Sequence, residues 1–147
     1  MIFIDTGAFL ARHLPKDDHR DLALPAWEEL TRLRWPLYTS NFVLDETLTL
    51  LGRCSTYHFA AERGRFIQES RELEILRPDE EDEARALAAF EKFADQKVSF
   101  TDCISFVLMR RYKIRRAFSF DRHFASAGFE LWAGPVGWVS EARPGEE

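Results

Sequence analysis

The first fourteen residues, MIFIDTGAFLARHL (1–14), decide how the chain is read. Residues 2–4 are an apolar run long enough for one buried strand, and Asp5 ends it. Ala8, Phe9, Leu10 and His13 then fall at helical spacing. A wholly apolar strand that passes straight into a helix is the opening of a parallel sheet covered on both faces. An acid closing such a strand stands on the edge where these sheets bind ligands.

The same alternation runs outward from this unit. A helix is expected over 18–34, with Leu22, Ala26, Trp27, Leu30 and Leu33 at helical spacing and Pro25 either kinking it or sitting in its first turn. A strand over 36–39 leads to a helix capped by Thr39 or Ser40 and ending near Cys54. A helix over 57–70 and a strand over 72–76 follow. Pro78 then opens a helix reaching Phe93, with Asp79, Glu80, Glu81, Asp82 and Glu83 where the helix dipole favours negative charge. Thr101 is the expected cap of a helix whose middle, 103–109, is almost wholly apolar. A strand over 117–120, a short helix starting at Asp121 and a last strand over 129–132 complete the order. The expected class is α/β, a parallel β-sheet flanked by helices on both faces, in one domain over 1–147 with a loose tail at 141–147.

Composition agrees and excludes several functions. The chain has 147 residues, 46% hydrophobic and 31% charged, an ordinary globular balance. Its net charge of −5 rules out binding nucleic acid by bulk positive charge, though not by a local basic stripe. No apolar run approaches the ~20 residues of a membrane-spanning helix, and no basic leader precedes the first apolar stretch. Cys54 and Cys103 form no CxxC pair and are expected as reduced thiols in a cytoplasmic protein. Four scattered histidines give no zinc spacing.

Four acids carry the chemical signal. Asp5 and Asp121 each follow a strand, Asp102 lies in the first turn of the most apolar helix, and Glu46 has Phe42, Val43 and Leu50 among its helical neighbours, which aims it inward. Taken alone, each has a structural reading. Asp121 serves as an N-cap, Asp102 as a dipole-favoured acid, Asp5 as the acceptor of its own turn, and Glu46 as partner of Arg53 or another arginine. Taken together, converging carboxylates would repel strongly in a cleft, and a hard divalent cation resolves that repulsion. All-oxygen ligation suits Mg²⁺ or Mn²⁺.

FIDTGAFLA (3–11), TSNFVLDETLTLL (39–51), SFTDCISFVLMRR (99–111) and AFSFDRHFASAGF (117–129) resemble, in order and spacing, the four motif blocks of PIN-domain ribonucleases, and are most similar to the stand-alone VapC-type toxins. The resemblance covers nearly the whole chain up to about Trp132. It implies that Asp5, Glu46, Asp102 and Asp121 are metal ligands, Asp121 being the most variable of the four positions. Thr6, Thr101 and Ser119 would support them. The implied activity is Mg²⁺- or Mn²⁺-dependent hydrolysis of RNA by a metal-activated water. The implied partners are an antitoxin, whose disordered tail folds into a groove of the toxin, and a second copy in a homodimer. The alternatives are a housekeeping RNA-processing nuclease and a nuclease-like binding module with a weak metal site.

Arg110, Arg111, Lys113, Arg115 and Arg116 place five cations within seven residues. They either neutralise phosphates flanking the cut or end a helix as solvated charges. His123, two residues after Asp121, either contacts substrate or orients its turn. The triplet Asp5-Thr6-Gly7 also occurs in aspartic proteases, but these need two such triplets and many strands, whereas this chain has one triplet in a largely helical pattern. GxSxG, P-loop and GxGxxG motifs are absent.

Overall fold

A computed structural model describes residues 1–134. Five strands, β1 (Ile2–Ile4), β2 (Leu37–Ser40), β3 (Leu73–Leu76), β4 (Arg116–Phe118) and β5 (Glu130–Leu131), form one sheet in the order β3-β2-β1-β4-β5. Every pairing is parallel. Ile2, Phe3 and Ile4 are all fully buried although neighbouring side chains point to opposite faces, so both faces of β1 are covered.

The helices between the strands supply that cover. α1 (Thr6–His13) and α2 (Arg20–Leu33) join β1 to β2, and α3 (Asn41–Cys54) and α4 (Tyr57–Glu69) join β2 to β3. α5 (Glu80–Lys92), a 3-10 turn (Ala94–Gln96) and α6 (Phe100–Arg111) lead to β4, and α7 (His123–Ser126) to β5. The chain moves one way across the sheet from β1 to β3, then crosses back past β1 to β4. Right-handed crossovers therefore place the two groups of helices on opposite faces. Trp27 anchors one side, packing its ring at a tilt with its centroid 5.3 Å from that of Phe118 and donating its indole N–H to the Ala8 carbonyl at 3.0 Å. A cluster of Phe93, Phe106, Phe124 and Phe129 packs together under α6 and α7. Gly64 lets α4 lie close on α3, since a Cβ there would sit 2.8 Å from Leu48 Cδ2.

Local chemistry explains most element ends, with two corrections, and it decides where Pro25 sits. Ser40 caps α3 by accepting the Val43 amide, and Asp79 and Asp82 form a reciprocal capping box at the start of α5. The cap of α6 is Ser99, which accepts the Asp102 amide, and not Thr101, which is already helical. Pro25 lies inside α2, past its first turn. Asp121 does not begin α7. It stands before it, accepting the His123 amide in an Asx turn at 2.9 Å. The tail at 141–147 lies outside the described residues.

Candidate active site

The order of the strands reverses at β1, and open parallel sheets bind ligands in the crevice beyond the carboxyl ends at such a point. Asp5 follows β1 directly and is only 5% exposed. The register pairs Ile4 with Phe118, which brings Ser119 alongside Asp5 from 114 residues away in sequence. The Ser119 hydroxyl donates to Asp5 Oδ2 at 2.7 Å and accepts the Asp121 amide at 3.0 Å. One hydroxyl thus fixes both strand-end acids.

Asp102 enters from the first turn of α6, also buried at 6% exposure. One ligand atom from each of Asp102, Asp121 and His123 lies within 4.8 Å of the others. His123 Nδ1 is 3.0 Å from Asp121 Oδ1 and 3.8 Å from Asp102 Oδ2, without the alignment of a hydrogen bond. Glu46 reaches the same cleft from α3, half-buried, while its neighbour Asp45 is exposed. Among the described residues neither Arg53 nor any other base forms an ion pair with Glu46. The cleft has a volume of about 540 Å³.

Electrostatics show what this convergence costs. Burial pushes the Asp5 carboxyl up to about 7, against the lowering effect of the Ser119 hydroxyl and the Thr6 amide, with the charges of Glu46 and Asp121 adding to the rise. Asp102 is pushed up to about 9, first by burial, then by the charges of Asp5 and Asp121. Asp102 therefore keeps its proton at neutral pH and Asp5 is poised near half-protonation, and a cation is what lets the two ionise together.

The residues fit such a cation. Asp5 occupies the N-cap position of α1, yet its carboxylate makes no capping bond. Its Oδ1 is buried with no hydrogen-bond partner. A buried carboxylate oxygen that makes no cap and lines the same cleft as Glu46, Asp102 and Asp121 is suited to a hard divalent ion.

The remaining predicted residues divide. Thr6 is buried in the cleft wall with its hydroxyl unpartnered, and Ser119 is the link just described. Thr101 supports α6 through its carbonyl, which accepts the Ser105 hydroxyl. The basic stretch is not brought to the acids. Arg110 and Arg111 end α6 and Arg116 begins β4, at the far end of both elements from Asp102 and Ser119. Arg110 donates to the Ala127 carbonyl, Arg111 pairs with Asp79 and Asp82, and Arg116 lies over Trp35 beside Glu130. Lys113 and Arg115 are exposed. Lys97 and His19 line the cleft and were not singled out from sequence. Both sit in irregular connections, where no periodicity reports direction.

The PIN-domain family profile matches residues 2–130. The chain belongs to the PIN family. A PIN relative from Mycobacterium tuberculosis, the 23S rRNA-specific endonuclease VapC20, is 33% identical over 130 residues, spanning 88% of this chain and 95% of the relative. The VapC ribonuclease of Archaeoglobus fulgidus is 32% identical over 136 residues, spanning 88% and 83%. The crystal structure of VapC20, described as a sarcin-ricin loop cleaving toxin, superposes with a TM-score of 0.78 at 30% identity, covering 88% of this chain and 96% of that one. FitAcB from Neisseria gonorrhoeae shares the PIN fold at a TM-score of 0.65 and 16% identity, covering 95% and 99%.

Proposed function

We propose that this chain is an endoribonuclease dependent on Mg²⁺ or Mn²⁺, the toxin of a toxin–antitoxin pair, acting in the cytoplasm as a single PIN domain. The observation that carries the reading is Asp5, buried, uncapped and with Oδ1 unpaired, in a cleft it shares with Asp102, Asp121 and Glu46. Relatives at 32% and 33% identity are named as ribonucleases, and one is described as a toxin.

Asp5, Asp102 and Asp121 would hold the cation, with Glu46 and His123 Nδ1 completing the donor set. When bound, the ion supplies charge neutralisation at the scissile phosphate and a water of lowered pKa. Ser119 keeps Asp5 and Asp121 in register, and Thr6 lines the floor. The Glu46 carboxylate would accept a proton from the attacking water as the new phosphorus–oxygen bond forms, and return it to the leaving ribose oxygen as the old bond breaks. Hydrolysis then needs no covalent intermediate on the protein.

The partner is an antitoxin whose ordering on binding brings a basic side chain to the carboxylates, and the active species is a homodimer. Co-purification with the product of the adjacent gene, and sizing of the complex, test both. The activity itself is tested by incubating purified cellular RNAs with Mg²⁺ or Mn²⁺ and mapping new ends. Cutting by the wild type that is absent from Asp102→Asn supports the reading, and equal cutting by both removes the site.

A further inference from the structure

The acidic cleft carries the chemistry but offers an RNA strand little to hold. Among the described residues Lys97 is the one lysine or arginine in its wall, and the basic stretch lies at the other end of the sheet. A second cavity of about 620 Å³ adjoins it, and Asp17 belongs to both walls. Leu14, Pro15 and Phe59 give this cavity an apolar lining, with Lys16 and Asp18 at its edge and Cys54 in its wall. The Phe59 ring has the Arg63 guanidinium 5.2 Å from its centroid.

The loop that forms this lining is tied to the acids. Asp17 Oδ1 accepts the His19 amide at 2.9 Å, and the Asp17 amide donates to the Leu14 carbonyl at 3.2 Å. His19 stacks on Phe120 at 4.2 Å and 9°, and Phe120 directly precedes Asp121. The loop wall of the cavity is therefore packed against the segment that carries Asp121.

We propose that this cavity takes an unpaired base of the RNA strand beside the scissile phosphate, stacked on Phe59, with Lys16 at the flanking phosphate and the Asp17 and Asp18 carboxylates accepting the base's N–H groups. Stacking on an aromatic face tolerates every base. The carboxylates select among them: guanine offers its N1–H and N2 amino group side by side, whereas uracil offers a single N–H between two carbonyls. This assignment rests on the nuclease reading and extends it to how the same site chooses its substrate.

The two cysteines make the test direct, since Cys54 is exposed in the cavity wall and Cys103 is buried. A bulky maleimide therefore reports on the cavity. In Asp102→Asn protein, saturating guanine-containing single-stranded RNA, with binding followed by anisotropy, should slow Cys54 alkylation about fivefold, and oligouridylate less. Phe59→Leu keeps the apolar volume and removes the aromatic face. It should lower kcat/KM on RNA about tenfold, mainly through KM, and leave the Mn²⁺-induced rise in Tm unchanged. RNA bound at saturation while Cys54 reacts at its free rate overturns the proposal and leaves the nuclease reading standing. Protection by a co-purified protein and none by RNA overturns it in favour of a protein contact. Absence of any RNA binding overturns both readings.

Discussion

Replacing Asp102 by asparagine should stabilise the protein while abolishing its activity. The wild-type carboxyl is driven from 3.8 to about 9 by burial and by Asp5 and Asp121. At pH 7 the unfolded chain keeps this group ionised, and the folded chain must hold it protonated. At 1.36 kcal/mol per unit over the interval from 3.8 to 7, that costs at most about 4 kcal/mol. Water entering the open cleft and sharing of charge among the neighbouring acids reduce the cost, so we take about half, ~2 kcal/mol. Asparagine has the shape of the protonated acid and no charge to suppress, and its amide still donates to the Ser99 cap as Asp102 does. For a chain of this size ~2 kcal/mol corresponds to a Tm higher by about 4–8 °C. The assay is thermal unfolding in EDTA and in Mn²⁺, beside an RNA cleavage assay. Wild type should gain stability from Mn²⁺, while the variant should melt higher in EDTA, gain little from Mn²⁺ and cut nothing. A variant that melts lower than wild type in EDTA, or that keeps the full Mn²⁺ shift, refutes the reasoning.

Further outcomes follow from the same geometry. Asp5 and Asp102 have folded pKa values above their unfolded ones, so the native state binds more protons and metal-free stability falls as pH rises. His13 acts in the opposite sense, because burial lowers it to about 4 and its contribution is lost as pH falls from 6.5 through that value. Above pH 6.5 His13 is silent, so Tm in EDTA should decline from pH 6.5 to 9, and a flat profile would contradict the shared protonation. Ser119→Ala removes the bond that fixes Asp5 and Asp121, and should weaken Mn²⁺ binding by about 10–100-fold in titration calorimetry. Arg111→Met strands Asp82, which is 1% exposed, and should cost about 1–2 kcal/mol in urea unfolding without changing Mn²⁺ affinity. Retained stability there would show that the capping box alone satisfies Asp82.

The strands and most helices were legible because burial on both faces of the sheet writes continuous apolar runs, as at residues 2–4, and because Ser40 and Asp79 sit where caps belong. The α6 start is not legible to the residue because Ser99 and Thr101 are both competent caps, and in the structure it is Ser99 that accepts the Asp102 amide. The convergence of Asp5, Asp102 and Asp121 could be argued from strand ends and helix starts. The part of Ser119 depends on the register between β1 and β4, a contact across 114 residues that no local pattern encodes. The basic stretch left two readings open for the opposite reason. Its composition is conspicuous, but its direction is fixed by α6, which carries it away from Asp102 along the full length of the helix.

Manganese-soaked crystals, read by anomalous diffraction, give the most direct examination of the central claim. The account predicts Mn²⁺ within one coordination bond of Asp5, Asp102 and Asp121, with Asp5 Oδ1 among the ligands. Manganese bound elsewhere, with Asp5 Oδ1 still unpaired in a cleft that holds only water, would contradict it.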